Sequence, residues 1–117
     1  FLDTNIILYL LNGNKTIAEF LDGKQIYISI ITELELLGYS GISKEEEQVI
    51  KEFISQCKTI NINSSIKNET IRIRKNYKTK LPDSIIIATA LYFDLPFITS
   101  DIQFRKVDEL TLVIYEH

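Results

Sequence analysis

The chain has 117 residues, 45% of them hydrophobic and 25% charged, which is long enough for one domain with a real core and too short for two. We therefore predict a single domain over residues 1–117. Cys57 is the only cysteine, which excludes an intrachain disulfide and a zinc site built on several thiolates. No apolar run approaches the roughly 18 residues of a membrane span, so no membrane association is expected. The reducing cytoplasm fits this cysteine usage.

The first third of the chain predicts short strands alternating with helices. Phe1 and Leu2 are typical of the end of a buried strand, and a helix is predicted over Ile6–Leu11, followed by a short one over 16–21. The β-branched and aromatic run over 26–30 predicts the second strand. A helix is then expected from Thr32 to about Leu37.

The rest of the chain continues this alternation. Ser43 and Glu46 form a capping box that opens a helix, with apolar positions at helical spacing: Val49, Ile50, Phe53, Ile54 and Cys57. Further strands are predicted over 59–62, 97–99 and 112–114. Further helices are predicted over 66–77 and from Pro82, the latter buried on most sides over 85–93. The alternation predicts an α/β fold, a three-layer α/β/α sandwich with a short central parallel sheet of about five strands.

Four acidic residues stand at the end of a predicted strand or in the first turn of a predicted helix: Asp3, Glu35, Asp83 and Asp101. Ligands of α/β folds gather outside the carboxyl ends of the parallel strands. Four carboxylates gathered there would be expensive to assemble unless they held divalent metal ions. The pattern therefore predicts a metal-dependent reaction on phosphates.

Each of these acids also has a purely structural interpretation. Asp3 would cap the first helix, Asp83 would face a helix dipole, and capping boxes are possible at Thr32-x-x-Glu35 and at Ser100-x-x-Gln103 around Asp101. Helical periodicity alone does not choose between Glu33 and Glu35 as the site acid, because both flank the same apolar arc.

Taken together, these motifs resemble a known family across essentially the whole chain. The segments are Leu2-Asp3-Thr4-Asn5, Ser29-x-x-Thr32-x-x-Glu35-Leu36, Pro82-Asp83-x-x-x-x-Ala88 and Thr99-x-Asp101-x-x-Phe104. In order and spacing they are similar to the PIN-domain nucleases, and most similar to the small VapC-like toxins of bacterial toxin–antitoxin pairs. The Thr-x-x-Glu-Leu pattern of the resemblance favours Glu35 over Glu33. Ser100 stands where the family often has Asn or another small polar residue.

The resemblance implies an endoribonuclease that uses one or two Mg²⁺ or Mn²⁺ ions to activate water and to stabilise charge on the phosphodiester. Asp3, Glu35, Asp83 and Asp101 would be its catalytic and metal-binding residues. Hydrogen bonds to these carboxylates would come from three further residues: Thr4, Asn5 and Ser100. His117 is expected to take no part in the chemistry. The implied partners are an RNA substrate, a cognate antitoxin protein and a second copy of the chain.

Positive charge is concentrated in one segment of this acidic chain. Between Lys67 and Lys80 six basic residues stand against one acidic residue, a local net charge of +5. Because the whole chain has a net charge of −3, its other residues together carry −8. Lys67, Arg74 and Lys78 share one face of the predicted helix. This face is either simply solvated or a phosphate track leading toward Asp83. Arg105 and Lys106, which follow Asp101 closely, are further candidates for phosphate contact.

Three alternatives to a toxin nuclease remain at the level of sequence. The first is a housekeeping PIN nuclease that processes RNA without an antitoxin. The second is a catalytically silent PIN-like interaction module. The third is a phosphotransfer protein, which is disfavoured because a dehalogenase-type phosphatase needs an Asp where this chain has Asn5, and the early acidic pair of a receiver domain is missing.

Overall fold

Six α-helices and four short strands make up residues 1–116, the part of the chain that this computed structural model describes, and two helices precede each of the first three strands. In chain order the elements are α1 (Thr4–Leu11), α2 (Lys15–Leu21), β1 (Tyr27–Ser29), α3 (Ile30–Gly38), α4 (Lys44–Ser55), β2 (Lys58–Ile60), α5 (Ser64–Tyr77), α6 (Leu81–Tyr92), β3 (Phe97–Thr99), a 3₁₀ helix (Ile102–Lys106) and β4 (Leu112–Ile114). The predicted helices and the later strands are found within a few residues of their expected bounds. The 3₁₀ helix was not predicted.

The strands form two parallel pairs, β1 with β2 and β3 with β4. The extended start of the chain lies between the pairs: the Leu2 N–H donates to the Tyr27 carbonyl at 3.1 Å, and the Asp3 N–H donates to the Ile98 carbonyl at 2.9 Å. Leu2 forms only a single bridge with Ile98, because α1 begins at Thr4, directly after it. The predicted sheet of about five strands is therefore not confirmed.

Neighbouring residues of the central strands face opposite sides, as the two-residue period of a strand requires. The first side packs against α5 and α6 and includes Phe1, Tyr27 and Phe97. The second side packs against α1, α2 and α4 and includes Leu2, Ile28 and Ile98. Helices thus cover both faces, which is why both faces of these strands carry apolar side chains.

Helix α6 is the most buried helix, as its sequence predicts. All seven residues from Ser84 to Ala90 are buried. The buried segment predicted over 85–93 extends too far at its C-terminal end, since Tyr92 and Phe93 are exposed. Val49 in α4, predicted to lie on the apolar face, is also half exposed.

Local capping chemistry fixes where helices α3 and α4 begin. Ser43 and Glu46 form the predicted capping box, with the Glu46 N–H donating to Ser43 Oγ at 3.0 Å and the Ser43 N–H donating to Glu46 Oε1 at 3.2 Å. Helix α3 is capped instead by Ser29, whose Oγ accepts from the Ile31 N–H at 3.0 Å. The Thr32–Glu35 capping box is therefore wrong, because α3 begins two residues before Thr32.

Among the helices of residues 1–116, none combines the length and the apolar composition that crossing a bilayer would need.

Candidate active site

Asp3 is the buried acid of the site, with only 8% of its surface exposed. As the N-cap of α1 it accepts the Thr4 N–H on Oδ1 at 2.9 Å, and its Oδ2 accepts the Thr99 hydroxyl at 2.6 Å. Burial raises the pKa of Asp3 above its ordinary value, against the two hydrogen bonds, and the charges of Asp83 and Glu35 raise it further. The capping interpretation of Asp3 is thus correct, and it still leaves this carboxylate close to two others.

Asp83 lies in the first turn of α6, half-buried. Burial raises its pKa, and so does the negative charge of Asp101, while the positive charges of Lys80 and Lys106 lower it. The N-cap of α6 is Lys80, which makes no side-chain capping hydrogen bond. Asp83 therefore stands at the positive end of the helix dipole and beside a second acid at the same time.

Glu35 projects from α3, exposed to solvent, and is held by α1. The Thr4 hydroxyl donates to Glu35 Oε1 at 2.8 Å, across 31 positions of the chain. The charge of Glu35 also acts on buried Asp3. Among residues 1–116, Glu33 accepts no comparable hydrogen bond, and its charge is not among those that act on Asp3, so the geometry favours Glu35, as the resemblance does.

Asp101 follows β3 and is half-buried. It is the N-cap of the 3₁₀ helix, and its Oδ1 accepts the Gln103 N–H at 2.9 Å. Its own N–H donates to Thr99 Oγ1 at 3.1 Å. The predicted Ser100–Gln103 capping box is replaced by this shorter Asp101 cap.

The four acids form an electrostatically connected row in the order Glu35, Asp3, Asp83, Asp101. Within residues 1–116, however, no three acidic, histidine or cysteine side chains stand together closely enough to hold a metal ion as placed. Carboxylate oxygens are the ligands that Mg²⁺ and Mn²⁺ prefer. The donor chemistry therefore fits a divalent cation, and its charge would relieve the repulsion along the row.

Not every predicted supporting residue contacts the acids. Thr4 does, through its N–H and its hydroxyl. Asn5 is exposed, and Ser100 is half-buried; within the described chain neither side chain donates to the four carboxylates. The residue that sequence analysis missed is Thr99, which contacts Asp3 directly. Its place as the last residue of β3, two before Asp101, was the available signal.

The three residues of the predicted basic face, Lys67, Arg74 and Lys78, do not lie together in the structure. Lys67 and Arg74 lie exposed on α5. Lys78 is the C-cap of α5, in the left-handed conformation with φ 54°, so it leaves the helical face. It lines a cleft of ≈ 290 Å³ between α6 and the 3₁₀ helix, together with eight further residues: Thr79, Lys80, Asp83, Asp101, Gln103, Phe104, Lys106 and Val107.

Arg105 and Lys106 have different environments although they are adjacent. Arg105 pairs with exposed Glu116 at 3.6 Å, whereas Lys106 lines the cleft beside Asp83. The expectation for His117 lies outside the described residues.

Known proteins share this fold over nearly its whole length. A family model for the PIN domain matches residues 1–110, whereas no curated protein sequence matches the chain significantly. A toxin–antitoxin complex from Klebsiella pneumoniae contains a chain that is 32% identical, with a TM-score of 0.85 over 99% of this chain and 98% of that one.

Two more distant solved structures share the fold alone. VapBC2 from Rickettsia felis, bound to a DNA fragment from its promoter, is 20% identical with a TM-score of 0.86, covering 98% and 97% of the two chains. FitAcB from Neisseria gonorrhoeae is 24% identical with a TM-score of 0.79, covering 95% and 94%. Because the family model covers 110 of the 117 residues, the chain belongs to the PIN-domain family.

Proposed function

We propose that this PIN-domain protein is a toxin nuclease that hydrolyses RNA phosphodiester bonds with Mg²⁺ or Mn²⁺. The observation that carries the proposal is the row of four acids, in which Asp3 is acted on by Asp83 and Glu35, and Asp83 by Asp101. No capping role requires carboxylates from four different elements to lie close enough for the charges of Glu35, Asp83 and Asp101 to act on their neighbours Asp3 and Asp83.

One or two ions would be held by Asp3 and Asp83, with Asp101 completing the set directly or through water. A bound ion would supply the positive charge that lowers the pKa of a water and stabilises the developing charge on the phosphate. Glu35, held by the Thr4 hydroxyl, would ligate the ion or orient the attacking water. Thr99 fixes Asp3 through its 2.6 Å hydrogen bond, which keeps the buried carboxylate turned in one direction.

The proposal includes protein partners. The Klebsiella pneumoniae relative belongs to a toxin–antitoxin complex, and at 32% identity over nearly the full length it supports a cognate antitoxin for this chain. A second copy of the chain, as a homodimer, and a cytoplasmic location, which a lone cysteine fits, complete the proposal. The neighbouring gene distinguishes a toxin from a housekeeping nuclease. A toxin should have a neighbour that encodes a small DNA-binding protein, and a housekeeping nuclease should not.

The test is cleavage of structured and single-stranded RNAs by the purified protein in Mn²⁺, in Mg²⁺ and in EDTA. Asp3→Asn/Asp83→Asn is the inactive comparison, and Asp22→Asn, an exposed acid at the end of α2, is the matched control. We expect cleavage by wild type and by Asp22→Asn only with metal. Equal cleavage by the double variant would reveal a contaminating nuclease. Cleavage that survives EDTA would overturn the metal mechanism, and absence of any cleavage would favour the silent interaction module.

A further inference from the structure

Three lysines share the cleft with the two acids at the end of the row. Lys78, Lys80 and Lys106 line it together with Asp83 and Asp101. Two of these lysines, Lys80 and Lys106, are close enough for their charges to act on Asp83. The cleft is therefore lined by three cationic and two anionic residues.

The three ammonium groups are not neutralised by these acids. Among the ion pairs of residues 1–116, none involves Lys78, Lys80 or Lys106. By contrast, Arg72 in α5 is held between two carboxylates, those of Glu69 and Glu109. Because these three lysines form no ion pair with the neighbouring carboxylates, their ammonium groups are available to an outside anion.

The backbone turns positive groups toward the same place. The left-handed C-cap at Lys78 ends α5 and leads directly into α6. Helix α6 begins with no side-chain cap at Lys80, so no capping side chain satisfies the N–H groups of Leu81 and Asp83, while Pro82 between them carries no N–H. The positive end of the α6 dipole therefore adds to the charge of the lysines.

We infer that Lys78, Lys80 and Lys106 form a subsite for a backbone phosphate that flanks the phosphodiester being cut. The inference rests on the proposed function and deepens it. A divalent ion at the acids would take the scissile phosphate, and an RNA strand carries a further charge at every nucleotide. The neighbouring phosphate of the strand would then contact the three lysines of the cleft. This role differs from a track along α5, because Lys67 and Arg74 lie outside the cleft.

The experiment compares two triple variants that remove the same charge. The cleft variant is Lys78→Gln/Lys80→Gln/Lys106→Gln. The matched control is Lys67→Gln/Arg74→Gln/Lys75→Gln, which changes three exposed residues of α5. Binding of a fluorescein-labelled single-stranded oligoribonucleotide is measured by anisotropy in EDTA, where no cleavage occurs, over a series of KCl concentrations. Thermal melts establish that both variants are folded.

We expect the cleft variant to bind at least about tenfold more weakly than wild type at low salt, with the slope of log K against log[salt] reduced by up to about 2. The α5 variant should lose clearly less affinity. In Mn²⁺ the cleft variant should raise KM for the oligonucleotide much more than it lowers kcat. Equal losses in the two triple variants, or an unchanged salt slope in the cleft variant, would overturn the inference.

Two further comparisons separate the possible failures. If the wild-type protein cleaves RNA in Mn²⁺ but the cleft variant binds the oligonucleotide with unchanged affinity, the lysine subsite is wrong and the proposed nuclease activity stands. Absence of cleavage by wild type would defeat the nuclease, while the binding series would still test the subsite. Oligonucleotides with a 5′-hydroxyl and with a 5′-phosphate should bind equally, because the inferred ligand is an internal phosphodiester. Binding that requires the 5′-phosphate would overturn this assignment.

Discussion

The Thr99 hydroxyl donates a 2.6 Å hydrogen bond to Asp3 Oδ2 across 96 positions of the chain. Both residues are buried. The same hydroxyl oxygen accepts the Asp101 N–H at 3.1 Å. One threonine at the end of β3 thus connects Asp3 and Asp101, the first and the last of the four site acids in chain order. It restrains the loop that carries Asp101 and fixes a carboxylate that burial would otherwise leave poorly solvated.

Replacing Thr99 by Val, which has nearly the same shape, should destabilise the protein by about 1–3 kcal/mol at neutral pH, because a buried carboxylate loses a donor. The Thr99 hydrogen bond lowers the pKa of Asp3, so removing it should raise that pKa further. The cost should shrink in acid, where Asp3 is protonated and needs no donor. Urea unfolding at pH 7 and at about pH 3, below the ordinary Asp pKa of 3.8, measures the cost with Asp3 ionised and with Asp3 protonated.

Thr89→Val is the matched control for this change. Thr89 is equally buried, and its hydroxyl donates only to the Ile85 carbonyl of its own helix at 2.7 Å. Thr89→Val should therefore cost less at pH 7 and show less dependence on pH. Equal losses of stability in the two variants would mean that the Thr99–Asp3 contact has no special energetic role.

The two glutamates of α3 give a second prediction. Glu35 is bound by the Thr4 hydroxyl and acts on Asp3, so Glu35→Gln should lower kcat/KM for RNA cleavage by about 10²-fold or more, the range of a positioned acid or base. Glu33→Gln should retain activity within a few-fold. Both variants should melt near the wild-type temperature. The opposite ranking of the two activities would assign the site role to Glu33.

Much of this site could be predicted from sequence because its parts are local. Asp3 and Asp83 stand next to helix starts, and Ser43 with Glu46 forms the predicted capping box. Such features depend on neighbours within four residues, and hydrophobic periodicity determines which helical faces are buried. The helices were accordingly well placed by sequence alone.

The parts that could not be predicted depend on how distant segments meet. The Thr99–Asp3 hydrogen bond requires β3 to lie beside the start of the chain. Lys78 was placed on a helical face, because nothing in its sequence reveals that it adopts φ 54° and leaves the helix. The predicted strand end at Phe1 and Leu2 is reduced to one bridge for a related reason, since α1 begins before the segment can form a second bridge.

A third prediction concerns the anchor between α5 and the loop before β4. Arg72 donates to both oxygens of Glu109, at 3.0 and 2.9 Å, and Tyr77 donates to the same carboxylate. Arg72→Gln should cost at most about 1 kcal/mol, because the pair is partly exposed. Lys51→Gln, which removes the exposed pair of Lys51 with Glu47, should cost less.

The pH dependence of this anchor has a definite sign. The Arg72 and Tyr77 hydrogen bonds lower the pKa of Glu109 below its ordinary 4.5. A lowered folded pKa contributes stability above the unfolded pKa, and that contribution is lost as the pH falls through the folded value. The difference in melting temperature between wild type and Arg72→Gln should thus be full at pH 7 and fade below about pH 4. A difference that grows in acid would contradict this interpretation.

A role of Asp83 in metal binding can be distinguished from a role in stabilising its helix without knowledge of the substrate. Burial and the charge of Asp101 raise its folded pKa above the ordinary 3.8. A raised folded pKa means that stability is greatest below the unfolded pKa and is lost as the pH rises through the folded one. Ionised Asp83 should therefore cost stability at neutral pH in the absence of metal.

Asp83→Asn should for this reason melt a few degrees above wild type in EDTA at pH 7, and the gain should vanish near pH 3. The helix dipole acts in the other direction, since losing a first-turn negative charge costs about 0.3–1 kcal/mol. Added Mn²⁺ should stabilise wild type in proportion to its binding and stabilise Asp83→Asn much less. Asp22→Asn should respond to Mn²⁺ as wild type does. A variant that melts below wild type in EDTA and keeps the full Mn²⁺ response would show that Asp83 serves the helix and not a metal ion.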